Sequence, residues 1–187
     1  MFKKHIMSLV AMAVFGIAPY AFGFEAMYER TDVGEIEVKN IPALTAVQAS
    51  GDGTVFDNIS EPFKKLFRYV RSHDYAFTVP LEADTADNRM RYYPPRAVTS
   101  AASAGDEPVE VVSLPPRKVV SVGLRGSYSQ KLYEKGLTSI EEWLEENPEW
   151  EEAGPPYKVF WDPIWIPGFL KKSEVHLPVR EVSAVDR

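Results

Sequence analysis

A heptapeptide near the start of the chain returns in its middle. Ile36-Glu37-Val38-Lys39-Asn40-Ile41-Pro42 can be laid on Val109-Glu110-Val111-Val112-Ser113-Leu114-Pro115, with Glu, Val and Pro identical and apolar residues exchanged at the ends. A second extended run follows each copy, Leu44 to Val47 in one and Lys118 to Leu124 in the other. A repeat of roughly seventy residues means that one supersecondary unit occurs twice, which restricts the fold more than any bulk property does.

The unit reads as β-α-β-β. Glu35 to Ile41 alternates polar and apolar residues with the period of a strand, and Gly51-Asp52-Gly53 marks a turn. Asp57 to Ser72 then places Ile59, Phe63, Leu66, Phe67 and Val70 on one helical face, with Asp57 and Ser60 as candidate caps and Pro62 tolerable only in the first turn. Asp74 to Ala83 and Arg89 to Tyr93 follow as strands, and Pro94 to Pro108 reads as a linker. In the second copy, Gly126 to Asn147 is helical through Tyr133, Leu137, Ile140 and Leu144, with a capping box at Thr138 to Glu141 and a break expected at Gly136. Tyr157 to Trp161 and Glu174 to Val179 close it. The expectation is an α+β domain of two β-α-β-β halves, about residues 28–93 and 109–179. They are related by pseudo-twofold symmetry, with two main helices over a mainly antiparallel sheet and a pocket where the halves meet.

Composition narrows the function. The 187 residues suit one domain or two small fused halves, and the net charge of −6 disfavours a nucleic acid held through its phosphates. The absence of cysteine removes thiolate chemistry, and three histidines are few for a zinc site. Residues 1–23 carry Lys3, Lys4 and His5 ahead of an apolar run and end in Ala21-Phe22-Gly23, the pattern of a secretory signal peptide. The mature chain is then residues 24–187, periplasmic or secreted, with no stable membrane anchor after cleavage; losing the two lysines takes the charge from −6 to −8. The glutamates between Glu141 and Glu152 read as a solvated acidic face, because they lack the loop-and-glycine spacing of a calcium site.

Tyr157 to Val179 is the stretch richest in candidate chemistry. Phe160, Trp161, Trp165 and Phe169 are interleaved with Pro163, Pro167 and Gly168, which exclude a long regular element and leave the rings to pack or to meet a flat apolar ligand. The helix Phe63-Lys64-Lys65-Leu66-Phe67-Arg68-Tyr69-Val70, the later Thr78-Val79-Pro80, and Trp161-Asp162-Pro163 through Phe169-Leu170-Lys171-Lys172-Ser173-Glu174-Val175 together resemble the SOUL haem-binding proteins over about residues 28 to 179. The chain departs from that pattern with His73-Asp74 for Gly-Asn, Phe77 for a methionine, and Lys171-Lys172-Ser173 for Arg-Arg-Asn. It is also similar to the GyrI-like effector-binding domains, which take lipophilic cations and carry a pocket glutamate in a late strand, here Glu174.

The SOUL resemblance implies haem, or another tetrapyrrole, in a groove between Phe63, Phe67 and Val70 on one side and Ile164, Trp165, Ile166 and Phe169 on the other. Lys171 and Lys172, with Arg68 and Arg71, are candidate propionate partners, and His73 is a candidate axial ligand; His176 is a further imidazole in the last strand. The GyrI-like resemblance implies instead a binder, or hydrolase, of hydrophobic cations, with Glu174 supplying charge and Tyr157 and Trp161 supplying π faces. No nucleophile elbow, phosphate loop or metal constellation is present in the sequence, which favours binding over catalysis.

Overall fold

The computed structural model describes residues 24–95 and 109–182. Residues 1–23, read as a signal peptide, and all of the expected linker beyond Pro95 lie outside the described residues. The chain begins with a short strand β1 (Glu25–Ala26), followed by β2 (Ile36–Ile41), β3 (Leu44–Ser50), helix α1 (Val55–Asn58), helix α2 (Ser60–Ser72), β4 (Thr78–Val79), β5 (Leu81–Asp84) and β6 (Arg89–Tyr92). After the gap come β7 (Glu110–Leu114), β8 (Arg117–Arg125), helix α3 (Gln130–Glu146), β9 (Trp150–Glu152), β10 (Tyr157–Phe160), a 3-10 turn at Gly168–Leu170 and β11 (Lys172–Glu181).

Eight strands form one curled antiparallel sheet in the order β2-β8-β11-β10-β5-β6-β3-β7, with β9 added on β11. Read from its two ends this order is symmetric: β7 matches β2, β3 matches β8, β6 matches β11, and the halves meet where β5 pairs with β10. The expected α+β duplication is therefore present, but the halves exchange their first strands. β2 pairs with β8 and β7 pairs with β3, so neither half closes alone.

Both main helices lie on one face of the sheet. Leu66, Tyr69 and Val70 of α2 pack on Val47, Ala83, Met90 and Tyr92, while Tyr133 and Ile140 of α3 pack on Val120, Val122, Val175 and Leu177. Helix α3 begins later than its periodicity suggests, because Ser129 is the cap and accepts from the Leu132 N–H at 3.3 Å. It also runs unbroken through Gly136, where an added Cβ would lie 2.9 Å from both Leu124 and Val175: the glycine brings the helix close to the sheet instead of ending it.

The opposite face is covered by the N-terminal strap. β1 lies parallel to β4, Met27 N–H donates to the Val79 carbonyl at 2.8 Å, and Phe24, Ala26 and Tyr28 pack on Ile41, Val119, Val159 and Trp161. At Gly123 the strap runs flush against β8, and a Cβ there would stand 2.0 Å from the Asp32 carbonyl oxygen.

Candidate functional site

A cleft of about 380 Å³ opens on the helical face between α2 and the turn before α3. Its walls include Ile59 and Phe63 from the first half, Tyr128 and Ser129 from the second, and Phe160 and Ile164 from β10 and the loop after it. Beyond Phe63, Phe160, Asp162 and Pro163, which belong to both, lies a smaller recess of about 80 Å³ bordered by Phe67, Phe77, Trp161 and Trp165. The rings are ordered: Phe67 stacks on Phe63 at 6.0 Å and on Phe77 at 5.3 Å.

The loop over this groove is fixed at its root and bare at its tip. Tyr128 Oη donates to the Asp162 carbonyl at 2.7 Å and accepts from the Asp162 N–H at 3.0 Å, and the Asp162 carboxylate accepts from the Lys172 N–H at 2.6 Å. Between these anchors Trp165 is 68 % exposed and Phe169 73 %, with Ile164 and Leu170 also open to solvent. Large apolar side chains held out on a proline-rich loop beside an apolar cleft are an interaction surface.

The sequence-predicted residues divide between this groove and the interior. Phe63, Ile164 and Lys171 line the cleft; Phe63, Phe67, Trp161 and Trp165 line the recess; Phe169 stands at the loop tip, with Ile166 half-buried behind it. Val70 lines neither, being part of the α2 core. Lys172 is half-buried in β11. His73 caps the far end of α2, its Nδ1 2.9 Å from the Tyr69 carbonyl and its ring stacked between Tyr69 and Tyr75. Ten residues of helix separate it from Phe63, about 15 Å along the axis.

Tyr157, Glu174 and His176 lie on the opposite face of the sheet, sealed beneath the strap. Glu174 is fully buried and accepts from Thr31 N–H at 2.6 Å, His176 Nε2 at 2.5 Å, Lys39 Nζ at 3.1 Å and Ser121 Oγ at 3.1 Å. Burial alone pushes its carboxyl up, but the hydrogen bond from His176, the Lys39 charge and the Thr31 N–H hold it below the usual range. Burial pushes the His176 imidazole down, so the ring is neutral: Nε2–H donates to Glu174 and Nδ1 accepts from Tyr157 Oη at 3.0 Å. Arg117 Nε donates to the same phenol at 2.9 Å, and Arg117 Nη2 binds both oxygens of the buried Glu82, to which Tyr28 Oη also donates at 2.6 Å. Every charge in this chain of groups has its partner. Sequence reasoning missed Glu82, Arg117 and the strap residues Tyr28 and Thr31, because contacts across 35 to 143 positions leave no local pattern.

For a tetrapyrrole the groove supplies apolar and aromatic walls on two sides and no imidazole among its lining residues. The donor set fits a macrocycle gripped by its faces, not one hung on an axial histidine.

Duplicated β-α-β-β halves, a shared antiparallel sheet and an apolar cleft across the seam define an α+β half-barrel with a groove on its helical face. The chain belongs to the SOUL haem-binding protein family, whose sequence profile matches residues 24–178. No curated protein sequence matches the chain. Among solved structures it is similar to EcmrR in an EcmrR–DNA transcription complex (15% identity, 79% of this chain, TM-score 0.62), of which it spans only 58%. It is also similar to the EcmrR C-terminal domain (17% identity, 79% of this chain and 98% of that one, TM-score 0.55) and to a hydrolase encoded by lin2189 from Listeria innocua (13%, 79% and 93%, TM-score 0.58). At these identities the likeness is one of fold.

Proposed function

We propose that this protein is exported and binds haem or a related tetrapyrrole in the groove between α2 and the aromatic loop. The observation that carries the reading is the continuity of the cleft with the Phe67–Trp165 recess under an exposed aromatic loop, in a chain of the SOUL family. Phe63, Phe160, Ile164 and Trp165 supply the faces that take the macrocycle out of water, at about 25 cal/mol per Å² of apolar surface removed. Bound haem contributes its iron and its colour; the chain contributes shape, exclusion of water and a cationic rim at Lys171. Because no histidine lines the groove among the described residues, metal-free protoporphyrin is expected to bind as well as haemin.

Titration of residues 24–187 with haemin tests this. A saturable Soret shift near one equivalent, shared by protoporphyrin fluorescence and unaltered in His73→Ala, is expected; a featureless, non-saturating response overturns the reading. The signal-peptide pattern of residues 1–23 supports the export proposal, and fractionation of cells expressing the full chain tests it: protein starting at Phe24 outside the cytoplasm is expected, and full-length protein inside it counts against export.

The cationic-ligand reading draws on the GyrI-like fold, but Glu174, its charge, is spent on four internal donors. The groove on the other face is favoured for that reason.

A further inference from the structure

Lys158 sits in β10 between Tyr157 and Val159, and its side chain points to the helical face with no exposed surface. Its ammonium is ringed by Phe56 at 5.6 Å, Tyr133 at 5.8 Å, and Tyr128 and Phe160 at 5.9 Å. Among the described residues it makes one hydrogen bond, a long 3.4 Å contact to the Ser129 carbonyl, and no carboxylate pairs with it. An ammonium carries three donors, so among the described residues two meet aromatic faces and no acceptor atom, where a buried charge ordinarily has a counter-ion.

The enclosure is the back of the cleft. Tyr128, Ser129 and Phe160 each touch Lys158 on one side and line the cleft on the other. Lys171, which lines the cleft, stands over the same Tyr128 ring at 4.8 Å, so two ammonium groups share this wall. The one carboxylate among the lining residues, Asp162, is turned to the Lys172 N–H. For the Lys158 amine to reach the cleft, the Tyr128–Ser129 turn must shift.

We propose that the inner end of the cleft is an anion subsite in which Lys158, assisted by Lys171, receives the carboxylate of an apolar ligand. The site thus selects amphiphilic carboxylates over neutral esters and over lipophilic cations of the same size. This rests on the cleft being the ligand site but not on the ligand being a tetrapyrrole. The ionisable groups facing Lys158 are the phenols of Tyr128 and Tyr133, and burial raises both, so at neutral pH they leave the ammonium uncompensated until a ligand arrives.

Fluorescence titration with 1-pyrenebutyrate, its methyl ester and 1-pyrenebutylamine at pH 7 tests the proposal. The carboxylate is expected to bind about tenfold tighter than the ester or more, the gain typical of a hydrogen-bonded charge. Lys158→Met is expected to erase that preference while keeping ester binding, and Lys171→Met to reduce it only in part. Equal affinity for carboxylate and ester, or a preference that survives Lys158→Met, overturns the subsite. A second readout needs no variant: the titration of the Lys158 side chain, followed by NMR of its Cε, moves upward on adding the carboxylate and stays in place with the ester. Haemin binding without carboxylate selectivity sinks this inference and leaves the tetrapyrrole reading standing; selectivity without haemin binding does the reverse.

Discussion

Lys158 imposes an electrostatic cost on the apolar helical face. Burial pushes its pKa from 10.5 down to about 8, so at pH 7 the folded protein holds a charge that the unfolded chain solvates freely. At 1.36 kcal/mol per pKa unit the penalty is about 3 kcal/mol. Its sign follows from proton counting: between pH 8 and 10.5 the unfolded chain binds a proton that the folded one has lost, and stability rises with pH. Lys158→Met is therefore expected to be about 2–3 kcal/mol more stable than the parent at pH 7, by urea denaturation, with the gap closing toward pH 10. The buried phenols of Tyr28, Tyr93 and Tyr157 weaken both proteins at high pH and cancel in the difference. A gap that stays constant with pH contradicts a buried ammonium. A methionine more stable than the native lysine places Lys158 among residues retained at a cost to the fold, which is the usual signature of a functional site.

At the scale of elements, the aromatic loop separates binding from stability. Trp165 and Phe169 are mostly exposed, so Trp165→Ala and Phe169→Ala are expected to change stability by under about 0.5 kcal/mol. Trp165→Ala removes a wall of the recess, and a loss of about tenfold in haemin affinity is expected, matching the ~1.4 kcal/mol of an aromatic contact. Large destabilisation with unchanged affinity contradicts a ligand-facing loop. The existence of this loop, its prolines and the strands around it were legible from residue spacing alone. So was α2, whose Pro62 falls in the first turn as its missing N–H requires. Legibility failed where the periodicity was short or the partner distant. Asp74 to Ala83 looked like one strand, yet only Thr78–Val79 and Leu81–Asp84 pair, with different partners on the two sides of Pro80. Glu151 and Glu152, read within a solvated acidic face, also belong to β9, which extends the sheet beside β11, where Glu151 meets Arg180; the acidic pattern did not announce that strand. Lys158 did leave a signal, a single lysine inside the otherwise apolar run Tyr157 to Trp161.

At the scale of the molecule, the sequence repeat announced two halves but not their exchange of first strands, since alternation specifies a strand without specifying its neighbour. It also gave no sign that residues 24–32 cover the face of the sheet opposite the helices. That closure has a testable acid signature. Glu174 has a lowered pKa, so its contribution to stability is complete above the unfolded value near 4.5 and is lost as pH falls through the folded one; His176, buried neutral, adds a loss that begins below about 6.5. The Thr31 N–H holding Glu174 is delivered by the strap, and the strap lies against a bare Gly123. Gly123→Val places a Cβ where the Asp32 carbonyl now sits and lifts the strap, leaving a buried carboxylate with one donor fewer. Such a group costs about 1–3 kcal/mol and titrates at higher pH. The variant is expected to melt several degrees lower at pH 7 and to unfold at a distinctly higher pH on acidification, with red-shifted tryptophan emission as Trp161 loses the edge of Tyr28 at 5.7 Å. Haemin affinity is the internal control: the main cleft is lined from the helical face and only the small recess meets the strap, through Phe24 and Trp161, so binding at pH 7 is expected to fall by less than the tenfold that 1.4 kcal/mol represents. Loss of haemin binding at pH 7 with the acid transition unmoved assigns the ligand to the strap face and reverses the placement argued from the cleft.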